Sequence, residues 1–348
     1  MKRFDYSFLS KGNVPAKFLN LAGVIYSIKT KSGYRLKDYP DVYDSLVKIA
    51  KFQSVKASNQ IEGIVTSDAR IKSILSGASE PLTHDEKEIA GYKDVLELIH
   101  SGYDNYDFRQ KDILFFHKTM LSFAGDIYGG EYKKVDNLIV EVDSAGNRKV
   151  RFKPISSKDT AQAMEQLELA YMEARSDPHI NDLLLIPCVI LDFLCIHPFL
   201  DGNGRISRLL SLLLLYKAGF DIGKYISFEA EINERKDFYY EALRLSSLKW
   251  NENENDYFPF VEDFISTLYH CYKKLDDRFS ILGEGRFSKK ERIEAVLLNR
   301  LTPISKAELC ELLPEVSPTT VEACLGAMLK DGKITKIGAG RATRYIKK

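Results

Sequence analysis

The chain has 348 residues, with 50 Lys and Arg against 49 Asp and Glu, a formal net charge of +1 and 45% hydrophobic residues. That profile excludes disorder, collagen and a continuous coiled coil, and at roughly 150 residues per domain it predicts two or three globular domains. Near-neutral charge also excludes a protein held on nucleic acid or acidic lipid by bulk attraction, so any anionic partner must be recognised locally.

The N-terminal stretch MKRFDYSFLSKGNVPAKFLN has no apolar core followed by small residues, so no secretory leader is expected and the chain reads as cytoplasmic. Apolar residues three and four apart predict helices over 41–59, 84–101, 109–123, 156–175, 181–196, 205–218, 235–246 and 257–275. Thr83 followed by Glu86 gives a capping box, and Gly219 is a left-handed helix stop. The most apolar stretches, 183–196 and 209–216, are too short to cross about 30 Å of hydrocarbon, so they read as buried helices and no membrane partner is expected. Alternating β-branched residues predict strands at 135–142 and 148–152, joined through Asp143-Ser144-Ala145-Gly146-Asn147 as a hairpin. The five cysteines (Cys188, Cys195, Cys271, Cys310, Cys324) show no CxxC pair and read as reduced, packed thiols.

Beyond 275 the periodicity lapses through RFSILGEGRFSKK, a linker over 276–290. A separate module over 291–348 follows. Its helices are predicted at 291–300, at 305–313 with Ser305 and Glu308 as a capping box, and at 317–330 with Ser317 as N-cap and Pro318 in the first turn. Strands at 334–337 and 341–346 flank a glycine turn, so three helices and a basic hairpin make a winged-helix pattern. The fold class is mainly all-α.

Residues 197–208 read HPFLDGNGRISR between the two most apolar helices. Gly202 and Gly204 let the backbone turn with positive φ and present its amides, and the helix starting near Arg205 adds unpaired N–H groups and a positive dipole end. Arg205 and Arg208, at i and i+3, share one helical face and can aim planar forks at one anion, for which a polyphosphate is the natural ligand. Asp201 offers a hard oxygen for magnesium, which binds through one or two carboxylates plus substrate phosphates. His197 is a candidate general base at the edge of that site. Two buried arginines require an acidic partner. His84, His100, His117, His179 and His270 are scattered without metal-ligand spacing and receive no role.

The stretch from His197 to Arg208 resembles the Fic family signature HPFx(D/E)GNGRxxR at every defined position. The resemblance implies a helical Fic core over 101–275 with a flap hairpin at 135–152, preceded by an N-terminal helical region over 1–100. It implies transfer of AMP from ATP to a Ser, Thr or Tyr hydroxyl of a target protein or of the chain itself, with Mg²⁺ as cofactor. By the same resemblance His197 is the base and Asp201 the metal ligand. Gly202, Asn203 and Gly204 cradle the phosphates, Arg205 and Arg208 clamp charge, and the flap holds a target segment by strand addition. Ser58-Asn59-Gln60-Ile61-Glu62-Gly63 resembles the family's inhibitory motif (S/T)xxxE(G/N), on a helix placed at about 41–63. That implies Glu62 paired with Arg208, competing with the nucleotide. Tyr240, from a Tyr pair resembling the family's adenine-closing segment, is an expected base contact, while Ser246 and Ser247 stand where relatives often have Asn.

Two rival readings accompany this one. The same site could remove AMP from a modified protein or transfer another nucleotide or phosphate-containing group. Alternatively, a nucleotide-sensing core could control a DNA-binding regulator through Lys333, Lys336, Arg341, Arg344, Lys347 and Lys348 on the wing. DNA binding is allowed but not favoured, and a homodimer is compatible with the sequence.

Overall fold

The computed structural model describes residues 2–125, 128–142, 148–282, 287–300 and 302–348. The expected hairpin turn at 143–147 lies outside the described residues. In chain order the first helices are α1 (Phe8–Lys11), α2 (Lys17–Asp38), α3 (Pro40–Ile61), α4 (Asp68–Leu75), α5 (His84–Gly102) and α6 (Gln110–Leu121). Strands β1 (Ile139–Val142) and β2 (Arg148–Phe152) pair antiparallel, with Val140 opposite Val150 and a register shift between Ile139 and Val140. Then come α7 (Thr160–Ser176), α8 (Asp182–Ile196), α9 (Asn203–Lys217), α10 (Phe228–Glu234), α11 (Lys236–Ser247) and α12 (Phe258–Leu282). The last segment holds α13 (Lys289–Asn299), α14 (Lys306–Leu312), α15 (Pro318–Lys330) and the antiparallel strands β3 (Ile334–Ile337) and β4 (Arg344–Lys347). The architecture is helical, as expected.

Helix α8 is the axis of the core. From Leu185 through Ile196 every side chain is buried, because a helix apolar on all faces must be covered on all faces. It packs against α7, α9, α11 and α12. Each buried Leu or Ile adds about 1.5–3 kcal/mol of hydrophobic stabilisation. One carboxylate, Asp192, interrupts this surface at no exposure. It accepts hydrogen bonds from Tyr6 Oη (2.7 Å), Trp250 Nε1 (2.6 Å) and Tyr257 Oη (3.0 Å). A buried acceptor with three donors stitches the N-terminal segment and the approach to α12 onto α8 rather than destabilising it.

Some boundaries differ from the sequence reading. Helix α2 is not among the helices expected from the sequence, and only Phe18, Ile25 and Ile28 of its 22 residues are buried. Helix α12 runs through Leu282, so helix replaces the first part of the expected linker at 276–290. Residues 135–138 are not strand; there Asn137 is drawn to the signature loop instead.

The last three helices and hairpin pack as one body, with Ile304 bridging Tyr345. Ser288 and Ser305 each form a full capping box, with Glu291 and Glu308. This body docks on the start of α3. The Arg292 guanidinium meets Asp41 at 3.0 Å and Glu315 at 3.2 Å, and lies 5.1 Å from the Tyr39 ring.

Candidate active site

The turn between α8 and α9 is built from left-handed backbone. His197 ends α8 with φ 52° and ψ 62°, its N–H bonded to Phe193 O at 3.0 Å, and Gly202 stands before α9 with φ 81°. The positive φ at Gly202 suits glycine, and its Cα faces the tip of the Met120 side chain and the His117 ring. Helix α9 begins at Asn203, so its first backbone N–H groups have no partner within the helix and face the turn with the positive dipole end.

The loop is clamped from several sides. The Asn203 carboxamide receives Phe199 N–H at 2.9 Å and donates to Phe199 O at 2.8 Å. That side chain therefore closes the loop, and what Asn203 presents to an anion is its backbone amide. Lys133 Nζ donates to Ile196 O (3.1 Å) and its N–H to Pro198 O (2.8 Å), while Asn137 Nδ2 donates to Phe199 O (3.1 Å). Burial pulls the Lys133 ammonium down to about 8.

His117, given no role by the sequence, is part of this clamp. Its Nδ1 accepts the Gly130 N–H at 3.0 Å, so Nε2 carries the proton and donates to Asp201 O at 3.1 Å. Its ring stacks on Phe199 with centroids 3.7 Å apart and planes 10° from parallel. No local signal marks it, because 84 positions separate it from Asp201.

His197 Nδ1 lies 3.3 Å from Leu194 O. A carbonyl only accepts, so Nδ1 carries the proton and Nε2 holds the free lone pair. Burial pushes its pKa down to about 4 and Lys133 adds to that fall, while the Leu194 carbonyl, Glu62 and Asp201 oppose it. The imidazole is neutral at pH 7, the form that takes a proton.

The two arginines do not converge on one anion, which corrects the shared-face expectation. Arg205, 1% exposed, turns behind the loop to bond Glu88 of α5, and its Nη2 holds Asp201 Oδ2 at 3.1 Å. It braces Asp201. Arg208 instead faces the pocket, giving Nε to Ser58 Oγ (2.9 Å) and Nη2 to Ser58 O (2.9 Å) and Glu62 Oε1 (2.8 Å). Both have acidic partners within the chain, because a buried guanidinium without one is too costly.

Glu62 caps α3, and Gly63 at φ 81° turns the chain away, so helix stop and ion pair coexist at this point. A Cβ on Gly204 would lie 2.3 Å from Glu62 Oε1. The carboxylate thus sits on the bare glycine at the start of α9. Lys236 fixes the same end of α3 by donating to Ile61 O at 3.0 Å.

A pocket of 760 Å³, mouth included, opens beside this pair. His197, Gly204, Arg208 and Glu62 line one end, and Leu194, Cys195, Tyr239, Tyr240, Leu243 and Ser247 extend it along α8 and α11. Flap residues Ile139, Arg151 and Phe152 cover it. Arg151 Nη2 donates to Tyr240 O at 2.5 Å, and its guanidinium lies 5.6 Å from the Tyr240 ring, latching flap to α11. Arg151, Tyr239 and the flap apolar residues are pocket members that sequence reasoning missed, since only the fold brings β2 to α11.

Among the described residues no three or more His, Cys, Asp or Glu gather as a metal site. The Asp201 carboxylate, with side-chain exposure of 68% and Arg205 behind it, suits a magnesium ion that draws most of its oxygens from phosphates and water. No described helix is long and apolar enough to cross a membrane.

The Fic/DOC family model matches residues 107–215. The protein adenylyltransferase Fic of Drosophila yakuba is 30% identical over 221 residues, covering 62% of this chain and 39% of that protein. Its Drosophila melanogaster counterpart is also 30% identical, covering 62% and 40%. The chain spans about two fifths of the length of these curated relatives. A Fic family protein from Desulfovibrio desulfuricans shares the fold with a TM-score of 0.63 at 18% identity over 97% of both chains. A Fic domain containing signaling protein from Bacteroides thetaiotaomicron gives 0.61 at 22% identity over 72% of this chain and 94% of that one.

Proposed function

We propose that this chain, a member of the Fic/DOC family through its residues 107–215, transfers AMP from ATP to a hydroxyl of a protein and is restrained by its own Glu62. The observation that carries the reading is the pocket itself. A neutral imidazole, a helix N-terminus and a buried arginine meet at one end of a largely apolar cleft, the layout a nucleoside polyphosphate requires.

A Ser, Thr or Tyr hydroxyl oxygen attacks the α-phosphorus in line, and the bond from that phosphorus to the oxygen bridging to the β-phosphate breaks. Pyrophosphate leaves with the bond's electron pair, and the hydroxyl proton passes to His197 Nε2. The first amides of α9 receive the phosphate oxygens, and Arg208 takes the terminal charge once Glu62 yields it. Asp201 would hold Mg²⁺ together with phosphate oxygens, which supplies charge neutralisation of the leaving pyrophosphate. Glu62 stands against that arrangement, since its carboxylate fills the space over Gly204 and occupies Arg208.

Removal of AMP by water uses the same groups, and the Glu62 carboxylate beside Gly204 is the feature in its favour as a group that orients water. Incubation with ATP labelled at the α-phosphate tests the first reading. Label should enter protein with Glu62→Gly and vanish in Glu62→Gly/His197→Ala. An unlabelled Glu62→Gly protein that instead releases AMP from a modified target would favour removal.

A further inference from the structure

Helix α5 steers both arginines of α9 from behind. Glu88 and Tyr92 stand at i and i+4 on one of its faces. Glu88 takes Arg205. Tyr92, fully buried, touches Ser58, the residue that receives Arg208. Beyond Tyr92 lies a carboxylate that the active site leaves unexplained, Glu229 of α10, with no exposure. Its partners are hydroxyls. Oε1 accepts from Tyr92 Oη at 2.9 Å, and Oε2 accepts from Ser54 Oγ at 2.7 Å, with Ser227 Oγ at 3.3 Å. An apolar side chain would fill such a place without the cost of taking a charge out of water, so what the carboxylate adds is direction.

The hydrogen bonds from Arg208 to Glu229 have one polarity. A guanidinium only donates and a carboxylate only accepts, while each hydroxyl between them has a single proton to give. Arg208 Nε donates to Ser58 Oγ at 2.9 Å, and the phenol proton of Tyr92 is spent on Glu229. Ser58 therefore donates to Tyr92 Oη, and every proton points from Arg208 towards Glu229. Two hydroxyls relay an ion pair across three helices, and the relay fixes the Nε edge of the guanidinium. The other edge is left to the pocket, where Nη2 holds Glu62 at 2.8 Å and Nη1 would lie 3.3 Å from a Cβ on Gly204.

We propose that Tyr92, anchored on Glu229, is a positioning residue for Arg208: once Glu62 withdraws, the relay holds the guanidinium with its free edge towards the pocket, set to take the terminal phosphate charge without moving. Ser58 and Glu62 share α3, so the relay also requires that helix to stay in place while the Glu62 side chain swings away. Ser54, one turn before Ser58, rivets α3 to the same carboxylate without belonging to the relay. The inference rests on the nucleotide-transfer reading and assigns the groups that hold its arginine in position.

The test is calorimetric titration of ATP and of AMP into the full chain carrying Glu62→Gly/His197→Ala, so that the site is open and no turnover occurs. AMP has no terminal phosphate for Arg208 and serves as the internal reference. Tyr92→Phe, which deletes one oxygen, should weaken ATP about tenfold, the loss of one hydrogen bond to a charged group, and leave AMP unchanged. Ser58→Ala breaks the relay at its other end and should do the same, which keeps the test open if the Tyr92 variant fails to fold. Ser54→Ala also costs Glu229 a hydrogen bond but leaves the relay whole, so it should lower the melting temperature and keep the ratio of the two affinities. Unchanged ATP affinity in the relay variants, equal weakening of ATP and AMP, or an equal effect of Ser54→Ala would overturn the positioning role and leave the transfer reading standing. An open parent that binds ATP no tighter than AMP would overturn the assignment of Arg208 to the terminal phosphate, and this inference with it.

Discussion

Glu62 Oε1 lies 2.8 Å from Arg208 Nη2 and directly over Gly204, where a Cβ would approach it to 2.3 Å. One carboxylate thus occupies both the Arg208 guanidinium and the first turn of α9, the two elements to which the proposed function assigns the phosphates. The pair closes across 146 positions, so it holds the end of α3 against the pocket beside His197.

Glu62→Gly should raise ATP affinity by about tenfold to a hundredfold, the equivalent of one hydrogen bond to a charged group, roughly 1.5–3 kcal/mol. Isothermal titration of the two proteins measures it, and equal affinities would refute the competition. Arg208→Ala should not mimic the gain, because it removes the acceptor of the phosphate charge along with the pair.

His197→Ala in an open background should lower transfer by about 10²–10⁴-fold with little change in ATP affinity. The pH profile carries the sign. His197 titrates near 4 when folded, against 6.5 for the ordinary imidazole, so the acid limb of kcat/KM should fall near pH 4 rather than above 6. A bound polyphosphate favours the imidazolium, so the limb of kcat should lie at higher pH than that of kcat/KM. Between 4 and 6.5 the unfolded chain binds the extra proton, so His197 adds a stability term that rises with pH across that window. Denaturant midpoints of wild type and His197→Ala against pH show it as a difference confined to those values.

His117→Ala should cost about 2–4 kcal/mol of stability, since it removes a buried stacked ring and leaves the Gly130 N–H and Asp201 O without their partner. In the open background kcat should fall more than KM changes, because the loop amides lose their position before the base pocket does. A thermal melt together with steady-state kinetics separates the two effects.

The C-terminal hairpin should bind duplex DNA no better than about 10⁻⁶ M at physiological salt, the range of non-specific contacts. Two of its cations are already neutralised, Arg344 by Glu308 at 3.1 Å and Lys333 by Glu294 at 3.3 Å. Anisotropy titrations at several salt concentrations measure this, and tight binding with a steep salt slope would show that the acidic partners give way to phosphate.

Asp201→Ala should weaken the dependence of transfer on Mg²⁺ and leave the fold intact, because its carboxylate is exposed while Arg205 keeps Glu88. A Mg²⁺ titration of rate in the open background reports it, and an unchanged curve would place the metal elsewhere.

The sequence by itself determined what is local. Ser288, Ser305 and Ser317 start their helices through side-chain bonds three residues away, Gly219 and Gly63 stop theirs with positive φ, and the apolar residues on all faces of α8 dictate its burial all round. The dense run from His197 to Arg208 was legible because its chemistry lies within twelve consecutive residues. Tertiary structure decided everything that depends on direction across the fold. Arg205 and Arg208 are equivalent in spacing, yet the acidic partner each finds, Glu88 on α5 or Glu62 on α3, sends one behind the loop and the other into the pocket. The same holds for Asn203, whose carboxamide goes to Phe199, and for His117, Lys133 and Arg151, whose partners stand on other elements. Helical periodicity fixes which face a side chain occupies, whereas the burial of a charge is tolerated only where a distant segment supplies its counter-charge, and that pairing is set by packing.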